Sequence, residues 1–274
     1  SNDIDVSKLT ITGNGGSTYV LTSDDVEITS STEFSITLNA ADQLQLAGLL
    51  NKNGTSSGTG TTYNIAAVDD WTPGADTSTD ISDLNGNAIT VSNVLSPTLT
   101  SATFDTSTGI LSLIGNNLPA YPGTSNDIDV SKLTITGNGG STYTLTSTDV
   151  ELTSNTSASI TLNTSDQTNL VSLLNKNGTS SSQGTTYNIA AADNWVLGAD
   201  AAINIEDLTS NSIDVINIKP TIRGPSGSAG DSTSTKSINE NTTAIHTFSA
   251  NESVTWSLNG GADSSKFSIN SSTG

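Results

Sequence analysis

The chain has no cysteine and no methionine, one histidine, and only 8 basic residues against 27 acidic ones. Without cysteine there are no disulfides, no thiolate nucleophile and no Cys-ligated zinc. That absence does not assign a compartment. With no basic patch to hold phosphates, nucleic acid is excluded as a partner. At a net charge of −19, an anionic membrane surface would repel the chain unless a divalent cation bridged the two. Aromatic residues make up 4% and hydrophobic residues 32% of the chain, both low. No apolar run approaches the roughly 20 residues a membrane helix needs, and no signal peptide is visible. The chain opens on Ser1 rather than Met, which leads to the expectation of an internal fragment that begins and ends inside domains.

Ser, Thr, Asn and Gly fill much of the remainder, a composition that could indicate disorder. The pattern argues otherwise. Apolar residues alternate with polar ones in short runs, and turn residues separate the runs, as on half-buried strands. The dominant feature is a repeat. Ser1 to Gly13 (SNDIDVSKLTITG) recurs at Ser125 to Gly137, an offset of 124 residues. The offset holds through Tyr63/Tyr187, Trp71/Trp195, Asp83/Asp207 and Val91/Val215, and about two-thirds of residues 1–94 are identical in the second copy. Pro97-Thr98-Leu99 follows the first copy and Pro220-Thr221-Ile222 follows the second. Proline suits the first residue of a strand, which places domain starts near both prolines. The expected domains are 1–96, lacking a counterpart of 97–124; a complete repeat at 97–219; and a different, shortened domain at 220–274.

The complete repeat reads as short strands and one helix. Thr100 to Phe104 and Ile110 to Gly115 predict a hairpin around residues 105–109. Lys132 to Thr136 and Thr142 to Thr146 predict two strands joined at Gly137–Gly140. Val150 to Thr153 and Ala158 to Leu162 predict another pair, and Thr186 to Ala190 with Ser212 to Ile216 close the sheets. Short strands at this spacing indicate a β-sandwich. The helix is predicted over Thr164 to Asn177, with Asn163 as N-cap, Asp166 in the first turn, Leu170, Leu173 and Leu174 on one face, and Gly178 ending it. The first copy repeats the plan from Asn39 through Leu46, Leu49 and Leu50 to Gly54.

The repeated SNDIDVSKLTITG segment, with Thr108 to Leu118 (TGILSLIGNNL) upstream, resembles the Ig-like repeats of very long bacterial surface proteins. Ser237 to Thr242 (SINENT), Val254 to Gly261 (VTWSLNGG), Lys266 to Asn270 (KFSIN) and Ser272 to Gly274 (STG) resemble the opening and next two strands of a cadherin-like domain. The resemblance implies an all-β fold: tandem Ig-like β-sandwich domains, each with one short helix, followed by a partial cadherin-like β-sandwich. In cadherins an early Glu binds Ca²⁺ at the domain junction, and Glu240 matches that position. The family's later ligands would lie past Gly274, and residues 224–231 stand where its Asp-rich linker would be.

Asn2-Asp3-x-Asp5 and its copy Asn126-Asp127-x-Asp129 alternate oxygen ligands on a loop entering a strand. Two roles stay open for Asp3, Asp5, Asp127 and Asp129: Ca²⁺ ligands, or turn caps of the kind Asn and Asp ordinarily make. The spacing is not that of an EF-hand. His246 has no evident catalytic or metal partner, and without a His base or Cys the hydrolase triads are nearly closed off. The acidic pairs Asp24/Asp25 and Asp69/Asp70 could serve a glycosidase, but the second copy has Thr148-Asp149 and Asp193-Asn194 there. Trp71/Trp195 and Tyr63/Tyr187 could stack on sugars, though burial in the core fits so aromatic-poor a chain better.

The expectation is a non-enzymatic structural and adhesive array on the cell surface or outside the cell. Its partners would be neighbouring domains of the same protein, and Ca²⁺ would stiffen the junctions. The alternatives are a polysaccharide- or protein-binding module, or a component of an S-layer, sheath or virion fibre.

Overall fold

The computed structural model describes residues 3–123, 127–251 and 254–274. The fold is predominantly β with sandwich-like sheets and two short helices. In the first repeat, β1 (Leu9–Thr12) lies between β2 (Thr18–Val20) and β3 (Asn64–Ala67), all antiparallel, and α1 (Ala40–Leu49) packs beside them. Next come β4 (Thr98–Asp105) and β5 (Ile110–Asn116), then β6 (Leu133–Thr136), β7 (Thr142–Thr144), β8 (Ser157–Thr161), α2 (Thr164–Leu173), β9 (Asn188–Ala191) and β10 (Ser212–Ile216).

The seven strands of the second repeat run in the order β7-β6-β9-β10-β4-β5-β8. They form two leaves. β9 and β10 meet at a single register pair, Ser212 with Asn188, so β7-β6-β9 and β10-β4-β5-β8 join only at that corner. The first leaf reproduces β2-β1-β3 strand for strand. The second leaf depends on the hairpin. β4 pairs parallel with β10, setting Ala102 beside Ile213 and Phe104 beside Val215, and β5 pairs antiparallel with β8, setting Leu111 beside Ile160. The inward residues of both leaves and of α2 meet in one core, including Phe104, Leu111, Leu133, Ile135, Ile160, Leu170, Tyr187, Ile189, Trp195, Ile213 and Val215.

The predicted hairpin is present and one to two residues longer at most ends. The pairing predicted for Val150 to Thr153 with Ala158 to Leu162 does not form. Val150 makes only an isolated bridge to Ile128, and β8 pairs with β5. The reason is the hairpin: β5 offers β8 an apolar face in register, which a short local return could not match.

Both helices are capped as predicted. The Asn163 side chain accepts from the Asp166 amide at 2.8 Å, and Asn39 does the same for Asp42. Both end earlier than predicted, at Leu173 and Leu49. Gly178 (φ +94°) is not the helix terminator. It lies beyond the helix and bridges to Val215, accepting and donating there at 3.0 and 2.8 Å, which fastens the post-helix loop to β10.

Beyond the second repeat the described elements are β11 (Ile222–Arg223), β12 (Ser249–Ala250) and a 3₁₀ turn at Ser264–Lys266. The two strands expected from the cadherin-like resemblance, over 254–261 and 266–270, are not formed. Their apolar residues Leu258 and Phe267 stay exposed.

Candidate functional site

The best-built polar sites are two buried aspartates at the helix N-termini. Asp166 accepts from the Tyr143 hydroxyl (2.9 Å), the Thr146 amide and hydroxyl (2.9 and 2.7 Å), and the Ser147 amide and hydroxyl (2.8 and 2.6 Å). Asp42 receives the same groups from Tyr19, Thr22 and Ser23. Burial pushes each carboxyl's pKa up, but the bonds from the serine, threonine and tyrosine outweigh it and hold both below the ordinary carboxylate range. The sequence suggested Asp166 only as a charge suited to the helix dipole. In the fold it also fixes the loop after β7 onto α2. The signal was the invariant spacing Tyr-x-x-Thr-Ser to Asp in both copies.

The aspartates singled out as candidate calcium ligands contact the backbone. Asp5 and Asp129 cap 3₁₀ turns, accepting from the Ser7 and Ser131 amides at 3.1 and 3.0 Å. Asp127 is fully buried. One oxygen accepts from the Tyr121 amide (2.6 Å) and the other from the Leu152 amide (2.9 Å). Burial raises its pKa, partly countered by those two bonds. Asp3 keeps the equivalent bond to the Ile28 amide at 3.1 Å. Glu240 is exposed in a turn. Asn2 and Asn126 lie outside the described residues. Among the described residues, no three His, Asp or Glu side chains stand close enough to hold a metal together.

Asp69 and its counterpart Asp193 serve as local staples. Asp69 accepts from the Asp70 and Ile81 amides, and Asp193 from the Asn194 and Ile205 amides. His246 is exposed, with its ring edge-on to Phe248 at 5.1 Å. Tyr63, Tyr187 and Trp195 are fully buried, and the Trp195 indole donates to the Ile205 carbonyl at 3.0 Å. These aromatics are core residues and offer no platform to a sugar.

The junction between the repeats is closely fitted. The Tyr121 hydroxyl donates to the Asn14 carbonyl (3.0 Å) and accepts from the Ser17 hydroxyl (2.6 Å). The Asn51 amide donates to the Ala199 carbonyl at 3.2 Å. Gly48 of α1 lies on the Ala120 carbonyl, where any Cβ would collide with backbone. Its counterpart in the second repeat is Ser172. A cleft of about 550 Å³ opens beside this junction, lined among others by Asn51, Asn93, Leu95, Asn117 and Ile203. Sequence reasoning did not find this contact set, because Tyr121 and Gly48 have no repeated partner to draw attention to them. No helix among the described residues is long and apolar enough to cross a membrane. No family model, curated protein or solved structure matches the chain.

Proposed function

We propose that this chain is a non-enzymatic stretch of a large bacterial extracellular surface protein, in which tandem Ig-like domains and a following cadherin-like domain act as an extended spacer. The observation that carries this reading is the fitted junction. Tyr121, Asn51 and Gly48 join one repeat to the next through directional hydrogen bonds and backbone contact, the arrangement needed for an array to project without folding back. A flexible tether would instead use a Gly/Ser linker with no such contacts. Burial of Tyr63, Tyr187 and Trp195, three of the four repeated aromatics, favours a spacer over a glycan-binding module. The cleft beside the junction keeps a binding role as the second reading, and a glycan or peptide array probes it.

The test is small-angle scattering on residues 1–219. The spacer reading predicts one fixed separation between repeats, and Gly48→Val should broaden it by pushing α1 off Ala120. A broad distribution in the unaltered chain would contradict the reading.

A further inference from the structure

In the second repeat the β4–β5 hairpin fills a slot between β8 and β10. The first repeat has the walls of the same slot and no hairpin in it. Residues 33–37, the counterpart of β8, form no strand, and residues 88–92, the counterpart of β10, make only isolated bridges. The side chains lining the slot are kept: Ile36, Leu38, Ile89 and Val91 stand where Ile160, Leu162, Ile213 and Val215 are buried. In the first repeat all four are only partly buried. The neighbouring Ile28 is 37% exposed, against 2% for Leu152.

The polar sockets are kept as well. In the second repeat Asp207 accepts the Leu99 amide at the start of β4 (3.0 Å), and Asp127 accepts the Tyr121 amide just after the hairpin (2.6 Å). Their counterparts are Asp83, which is exposed, and Asp3, which retains only the Ile28 half of the pair. Apolar walls and hydrogen-bond acceptors therefore wait in register for the same element.

We propose that the first repeat is an acceptor for a β-hairpin of the β4–β5 kind, which enters between residues 33–37 and 88–92 by strand addition. The occupant is fixed by the second repeat, where that hairpin is seated: inward Ala, Phe and Leu residues on alternate positions, and backbone groups free to pair along both outer edges. The wall residue facing the Leu113 position is bulkier in the first repeat. Phe34 replaces Ala158, which pairs with Leu113. A hairpin with a smaller residue at the Leu113 position fits the acceptor better.

The test fuses a second copy of residues 97–124 directly ahead of Ser1 in the full chain, which recreates the order seen before Ser125. Hydrogen exchange is read at residues 33–38 and 88–92. The expected result is slowing of about tenfold or more there, greater still when the fused hairpin carries Leu113→Ala. A fused hairpin carrying Phe104→Asp and Leu111→Asp should give none. Protection with only the Leu113→Ala hairpin supports the acceptor and its Phe34 preference. No protection with either apolar hairpin overturns the proposal, as does equal protection with the Asp-bearing hairpin.

Discussion

The two repeats share about two-thirds of their residues but not their state of completion. Each has the same three-stranded leaf, the same capped helix and the same buried aspartate hub. They part where β4 and β5 are present or absent. With the hairpin, 157–161 and 212–216 are strands and Trp195 is fully buried; without it, 33–37 and 88–92 are not strands and Trp71 is only half-buried. Nearly identical segments thus become strand or loop according to whether a partner edge is offered. Strand structure here is a property of pairing and shared burial more than of local sequence. Each side chain that moves from half-exposed to fully buried contributes on the order of 1–2 kcal/mol, so several together decide whether the second leaf forms.

The largest expected effect comes from making the second repeat resemble the first. Phe104→Ala removes the ring that packs against Val215 across β4 and β10. It should cost about 3–5 kcal/mol, seen as an earlier urea transition of the second repeat. A change under about 1 kcal/mol would mean that the hairpin does not hold the leaf together.

Asp166→Ala should cost about 3 kcal/mol by leaving buried amide and hydroxyl donors unpaired. Asp42→Ala should loosen the first repeat in the same way, since its hub is the same. If only one substitution destabilises, the two hubs are not equivalent despite their matching bonds.

A smaller effect is expected from pH. Asp42 and Asp166 have folded-state pKa values below the ordinary value, so their stabilisation is full above about pH 4 and is lost as pH falls through the folded values. Asp127 has the opposite sign: its raised value favours the folded state toward acid. Thermal melts from pH 7 downward should therefore lose stability below about pH 4, and Asp166→Asn should flatten that loss. An unchanged acid slope in Asp166→Asn would remove Asp166 from the account.

The smallest effect is expected from Ca²⁺. Asp3, Asp5, Asp127 and Asp129 already accept backbone amides. At equal ionic strength Ca²⁺ should raise the melting temperature no more than NaCl does. A larger, saturable increment would instead support the calcium role that the acidic clusters suggested.

Much of the fold was legible in the sequence because the repeat supplied it twice. The hairpin, the first-leaf strands, the helix N-caps and the burial of Tyr187 and Trp195 follow from alternation, turn residues and amphipathic spacing. The Val150–Thr153 pairing was misread because period-two alternation tells which residues form a strand face but not which edge it joins. The helix ends were misread because Gly178 has the composition of a C-cap but serves a bridge to Val215. The junction was not legible at all. Gly48 acts through shape and Tyr121 through hydrogen bonds to a neighbouring repeat, and single-sequence patterns carry no signal for that.

Hydrogen exchange on the unmodified chain compares the two repeats most directly. If the hairpin makes the second leaf, amides of 212–216 should exchange at least about a hundredfold more slowly than those of 88–92, while β1 and β6 differ far less. Comparable protection of 88–92 and 212–216 would contradict the account, because the first repeat would then complete its second leaf without a hairpin.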